Sequence, residues 1–127
     1  MLHTEVRIRR IVSSFIAVVF ALILTSCGQQ RTTWEEQYDL GVRYLSEGNY
    51  EEAILAFTAA IEIDPKRAEA YIGRGDAYIG SGETEETLAA AQADYEKAIE
   101  LDDTDMAAYL GLADVYVRLG EYDKAIE

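Results

Sequence analysis

From Trp34 onward the large apolar residues recur three and four positions apart instead of alternating with polar ones, the period of helices that bury one face. The pattern also repeats over longer distances. Gln37, Tyr71 and Tyr109 are each followed four residues later by a small residue: Gly41, Gly75 and Ala113. Three further on stand Tyr44, Tyr78 and Tyr116, and four beyond those stand Gly48, Gly82 and Gly120. The phrase "GNYEEAIL" at Gly48 returns at Gly120 as "GEYDKAIE". Internal repetition of this kind predicts stacked copies of one supersecondary unit. The unit reads as a helical hairpin. Gly41, Ala53 and Ala60 let two antiparallel helices approach closely, and Tyr44 and Phe57 fill the space between them. The fold class expected is all-α.

Cap and breaker residues divide the helices. Thr33 with Glu36 can cap the first helix and Asn49 with Glu52 the second. "DP" at Asp64 and Pro65 should end the second helix, with Asp64 capping the next and Pro65 in its first turn. The small-residue slot moves 34 residues from Gly41 to Gly75 but 38 from Gly75 to Ala113, and the surplus lies in "GETEETLAAAQA". Four residues are about one helical turn, so the expectation is a longer helix after Gly82, with a slack hairpin tip as the rival.

These segments resemble the tetratricopeptide repeat, whose pattern is W-x2-L-G-x2-Y…A-x3-F…P with a period of 34. The first carries Leu40, Gly41, Tyr44, Ala53, Phe57, Ala60 and Pro65, with Gln37 where the family prefers tryptophan. The second carries Tyr71, Gly75, Tyr78, Ala91, Tyr95 and Ala98, with Arg74 in place of leucine and Asp103 in place of proline. The third carries Tyr109, Leu112, Ala113, Tyr116 and Ala125. The resemblance implies a helix-hairpin solenoid of about two and a half repeats. They cover residues 34–67, 68–105 with the four-residue insertion, and the partial 106–127. It also implies a concave groove lined by the first helix of each hairpin. One stripe of those helices comprises Tyr38, Val42 and Leu45, then Ile72, Asp76 and Ile79, then Leu110, Asp114 and Val117. Such a groove would be apolar with two central carboxylates, suited to a peptide or helix that carries Lys or Arg among apolar side chains. The same stripes could instead pack successive hairpins together. Family members that clamp a carboxylate-ended peptide use Lys, Arg and Asn on this face, so an acidic tail is not the ligand expected here.

The first 26 residues follow another pattern. Arg7, Arg9 and Arg10 precede the 14-residue apolar run Ile11–Leu24, which is shorter than the ~20 residues of a membrane-spanning helix and has the layout of a secretory signal. "LTSC", Leu24 to Cys27, resembles the lipobox of bacterial lipoproteins. The resemblance implies cleavage before Cys27, the only cysteine in the chain, and acylation of its thiol and amine. Two or three acyl chains hold a protein stably at a membrane. Residues 27–33 would then be a lipidated tether, of which Gly28 to Thr33 reach at most ~20 Å. The expected location is outside the bacterial cell, on the outer face of its membrane or on the outer membrane.

Charge narrows the partners. Residues 1–26 hold three arginines and one glutamate, so of 11 basic and 24 acidic residues eight and 23 remain beyond them, a net charge of −15. Nucleic acid would be repelled. Catalysis finds little support, because the one histidine, His3, would leave with the leader and the one cysteine would be claimed by lipid. "DDTD" (Asp102, Asp103, Asp105) and "ETEE" (Glu83, Glu85, Glu86) lack the glycine and distant glutamate of a calcium loop and read as helix-start charges. No cofactor or metal is expected. Two repeats and the opening of a third suggest a piece of a longer protein, or a short one completed by dimerisation. The function expected is a membrane-anchored interaction scaffold of the envelope. The alternative is an accessory module of a longer envelope protein or enzyme.

Overall fold

The computed structural model describes residues 32–120. Residues 1–31, on which the expected leader, Cys27 and most of the expected tether fall, and Glu121–Glu127 lie outside the described residues. Five α-helices follow one another, and no strand occurs among the described residues: α1 Trp34–Glu47, α2 Tyr50–Ile63, α3 Ala68–Ser81, α4 Glu85–Leu101 and α5 Met106–Leu119. Helices α1 and α2 form one hairpin, α3 and α4 a second, and α5 opens a third. First helices of successive hairpins touch, α1 with α3 and α3 with α5, whereas α2 and α4 do not. The first helices therefore line the inner side of the curve.

Local chemistry sets most boundaries. Thr33 Oγ1 accepts from the Glu36 amide at 3.2 Å and Glu36 Oε2 accepts from the Thr33 amide at 3.0 Å, a complete capping box. Thr84 and Thr87 form the corresponding box on α4. Gly48 and Gly120 end α1 and α5 at φ 76° and 75°, a left-handed conformation open to glycine. Gly82, at φ 156° and ψ 161°, ends α3 differently. There the insertion is divided: α4 has 17 residues against 14 in α2, and the connection holds Gly82, Glu83 and Thr84 where the first hairpin has Gly48 and Asn49. Three added residues lengthen the helix and one lengthens the tip.

Three sequence expectations need correction. Asn49 makes no capping bond, because its amide nitrogen donates to Glu47 Oε2 at 3.1 Å. Asp64 does not cap α3, which starts at Ala68 after Arg67, and Pro65 lies in the preceding turn instead of the first helical turn. Asp64 ends α2, and its Oδ1 accepts from the Lys66 amide at 3.1 Å. Asp102 repeats this at the end of α4, its Oδ1 accepting from the Thr104 amide at 2.9 Å and hydroxyl at 2.6 Å. Of the "DDTD" carboxylates, Asp105 caps α5 through the Ala107 amide, while Asp102 stands at a helix end. Both turns close through an aspartate side chain, which explains why Asp103 can replace proline.

The core is built from aromatic rings set between glycines. Phe57, fully buried, lies so close to α1 and α3 that a methyl on Gly41 would stand 2.7 Å from its ring and one on Gly73 2.5 Å. Tyr95 repeats the arrangement one unit later against Gly75 and Gly111. Ala53 and Ala77 are fully buried with Phe57 and Ala91 with Tyr95, while Ala60 and Ala98, equally buried, pack with Trp34 and Tyr71 respectively. Small residues therefore let each ring reach two first helices at once, joining neighbouring hairpins as well as the two helices of its own.

Candidate functional site

The inner side of the first helices carries a concavity of about 280 Å³. Tyr38, Val42 and Leu45 come from α1, Glu69, Ile72, Gly73 and Asp76 from α3, and Asp105 and Ala107 from the start of α5, with Phe57 of α2 behind them. Helical spacing explains the convergence. Tyr38, Val42 and Leu45 fall on one side of α1, as Glu69, Ile72 and Asp76 do on α3. The lining is therefore apolar with three carboxylates, and no lysine or arginine is among it.

An aromatic ladder supports one wall. Arg67 lies 4.2 Å over the Trp34 ring, Trp34 stacks on Tyr38 at 4.7 Å and 12°, and Tyr38 meets Phe57 edge-on at 5.7 Å. Arg67 is itself held by Glu35 at 2.9 Å and Asp64 at 3.2 Å. Burial, and then the negative charges of Glu69, Asp39, Asp105 and Asp76, push the Tyr38 phenol above its usual range.

Asp76 is the best anchored of the three carboxylates. Its Oδ1 accepts a 2.6 Å hydrogen bond from the Tyr95 hydroxyl, which reaches it from α4. Burial raises the Asp76 carboxyl above its ordinary value, and the phenol's hydrogen bond offsets part of that rise. The Tyr95 phenol is itself pushed well up by burial and by its bond to Asp76. Asp105 uses Oδ1 to cap α5 through the Ala107 amide at 2.9 Å.

The nine positions named from the sequence separate into groups. Tyr38, Val42, Leu45, Ile72 and Asp76 share the concavity. Ile79 packs instead against the buried cluster of Leu88, Ala91, Tyr95 and Val115, and Ile72 touches that cluster as well. Leu110 and Val117 are exposed on α5. Asp114 pairs with Arg118, Oδ2 to Nε at 2.8 Å. Glu69 and Asp105 were missed. Glu69 lies one turn before Ile72 on the same side of α3, and Asp105 is the cap of α5, ahead of its helical stripe.

Arg74, in the family's leucine slot, holds Asp94 in a two-pronged pair, Nε to Oδ2 at 2.8 Å and Nη2 to Oδ1 at 2.7 Å. Its Nη1 donates to Thr58 Oγ1 at 3.1 Å. This largely buried network joins α2, α3 and α4 and lies outside the concavity. Among the described residues, no group of carboxylates could hold a metal ion, and no helix is long and apolar enough to cross a membrane.

Comparison with known proteins gives these features a family. A profile described as TPR repeat matches residues 41–82, and one described as Tetratricopeptide repeat matches residues 84–127. No curated protein matches the chain. Among solved structures, the TPR2B domain of yeast Sti1 in complex with pHsp70 is 29% identical with a TM-score of 0.69, over 73% of this chain and 71% of that one. The second TPR of Spaghetti (RPAP3), bound to the HSP90 peptide SRMEEVD, is 26% identical with a TM-score of 0.69, over 80% and 90%. MamA from Desulfovibrio magneticus RS-1 is 25% identical with a TM-score of 0.69, over 76% of this chain and 52% of that one. Ring-between-glycine packing, hairpin order and both profiles agree: this chain belongs to the tetratricopeptide repeat proteins.

Proposed function

We propose that this protein is an interaction scaffold of the bacterial envelope, held at a membrane by acyl chains on Cys27, which receives a segment of another protein in its concave groove. The fold is that of a protein-protein interaction module, and two of the similar structures hold a partner or peptide. The observation that carries the reading is the concavity itself, where Tyr38, Val42, Leu45 and Ile72 offer apolar surface beside Glu69, Asp76 and Asp105. Its chemistry favours a segment that mixes apolar and basic side chains. An acid-ended tail such as SRMEEVD would bring like charge to three carboxylates in a concavity that no lysine or arginine lines. Membrane attachment rests on the sequence of residues 1–27, a basic and apolar leader ending in Leu-Thr-Ser-Cys.

Photo-crosslinking in living cells tests the groove. A photoreactive residue at Val42 should give a protein adduct that disappears with Asp76→Lys, whereas one at Leu55, exposed on α2, should not. Adducts at Leu55 alone would overturn the reading. Labelling with radioactive palmitate tests the anchor: the chain should take up label and Cys27→Ala should not. An unlabelled product would end the lipoprotein assignment.

A further inference from the structure

The groove's ligand can be described more closely, on the basis of the reading just given. Sequence spacing gave Asp76 and Asp114 equal standing as central carboxylates, but the structure separates them. Asp114 is paired with Arg118, which also reaches Glu83, so its charge is offset within the protein. Glu69, Asp76 and Asp105 all face one concavity, and none forms an ion pair among the described residues. Two arginines on α3 and just before it are committed elsewhere, Arg67 to Glu35 and Asp64, and Arg74 to Asp94. Three carboxylates thus line one concavity, with one oxygen each of Asp76 and Asp105 used internally, accepting from the Tyr95 hydroxyl and the Ala107 amide. Their second oxygens have no partner among the described residues.

Acidic side chains alone would be a solvated rim. Here Glu69 and Asp76, though exposed, and the half-buried Asp105 stand beside apolar walls in a cavity with room for one long side chain. Lysine and arginine have that division of character, apolar methylenes ending in a charged head. We propose that the concavity is a receptor for a single lysine or arginine side chain of the partner segment, its methylenes on Tyr38 and Ile72 and its charge among Glu69, Asp76 and Asp105. The residues flanking that cation are apolar. Val42 is 44% exposed at one wall, and Leu110, 65% exposed, stands one turn beyond the Ala107 of the opposite wall. Tyr95 is the positioning residue, since its hydroxyl holds the Asp76 carboxylate from outside the cavity. The net charge of −15 beyond the leader adds long-range attraction for such a segment, and this part of the effect fades with salt.

The test uses the full chain in detergent micelles and an array of end-blocked nonapeptides. Their flanks combine leucine, valine, alanine and serine, and their centre is lysine, arginine, norleucine or glutamate. Binders are titrated by the fluorescence of Trp34, the only tryptophan in the chain, which stacks on Tyr38 of the cavity wall. Lysine- or arginine-centred peptides should bind about ten- to hundredfold more tightly than their norleucine counterparts, the range for charge-assisted hydrogen bonds. Glu69→Gln, at a side chain with no bond to break among the described residues, should leave the helical circular dichroism unchanged and reduce that preference. Norleucine peptides binding equally well would overturn the cation receptor and leave the groove reading standing. Failure of every peptide in the array to bind would overturn the groove reading and the receptor with it.

Discussion

The guanidinium of Arg74 holds the carboxylate of Asp94 through two parallel hydrogen bonds, at 2.8 and 2.7 Å, where the repeat pattern would place leucine against the neighbouring helix. Asp94 is only 5% exposed, and Arg74 is the cation paired with it. A buried pair is costly to break and inexpensive to remove whole, since one survivor keeps an uncompensated charge away from water.

Asp94→Ala should therefore destabilise the fold by ~3–5 kcal/mol. Arg74→Leu combined with Asp94→Ala should recover most of the loss. Urea denaturation followed by circular dichroism measures both, and a double variant as unstable as the single one would contradict this account of the pair.

Phe57 between Gly41 and Gly73 gives a second expectation. Gly73→Ala puts a methyl where the ring already stands, at a cost of ~1–3 kcal/mol for overpacking. Phe57→Leu in the same chain should partly compensate, so the two changes should cost less together than their sum. Strict additivity in a denaturation cycle would mean that ring and glycine do not meet.

Helix caps should divide by geometry. Thr33→Ala and Thr84→Ala each remove a capping box and should cost ~1 kcal/mol. Asn49→Ala, at a residue whose side chain caps nothing, should change stability by less than ~0.5 kcal/mol. Equal losses at Asn49 and Thr33 would count against the boundaries described.

The pH response of Asp76 follows from its surroundings. Partial desolvation against the cavity wall raises the folded value of this exposed carboxyl above the ordinary 3.8, so ionisation weakens the fold somewhat. The resulting penalty is present above the folded value, is relieved as pH falls through it, and is gone below the unfolded one. Tyr95→Phe removes the hydrogen bond that favours the ionised form and should move the midpoint further up. Carboxyl carbon NMR titration reads this directly, and a midpoint that stays in place or falls would contradict the Tyr95 contact.

Much of the fold was legible because its packing residues are small or aromatic at fixed intervals. Gly41, Ala53, Phe57 and Ala60 are buried as their spacing required, and the surplus after Gly82 mostly extends α4. Local competition misled where two polar groups contend for one partner. Asn49 donates to Glu47 instead of capping α2, and Asp64 closes its own turn instead of starting α3. The groove was legible along each helix but not between helices. Glu69 and Asp105 join Tyr38 only because the starts of α3 and α5 pass one another in the stack, a relation that no single helical period contains. Trp34 stands three residues before the position where the family pattern expects tryptophan, yet it stacks on Tyr38 and supports the groove wall.

Amide NMR of the protein titrated with a lysine-centred peptide chosen from the array tests the groove most directly. Signals of Val42, Ile72, Asp76 and Ala107 should shift together, with those of α2 and α4 distant from the concavity unmoved. Shifts confined to the outward faces of α2 and α4 would contradict the assignment and place the ligand on the other side of the stack.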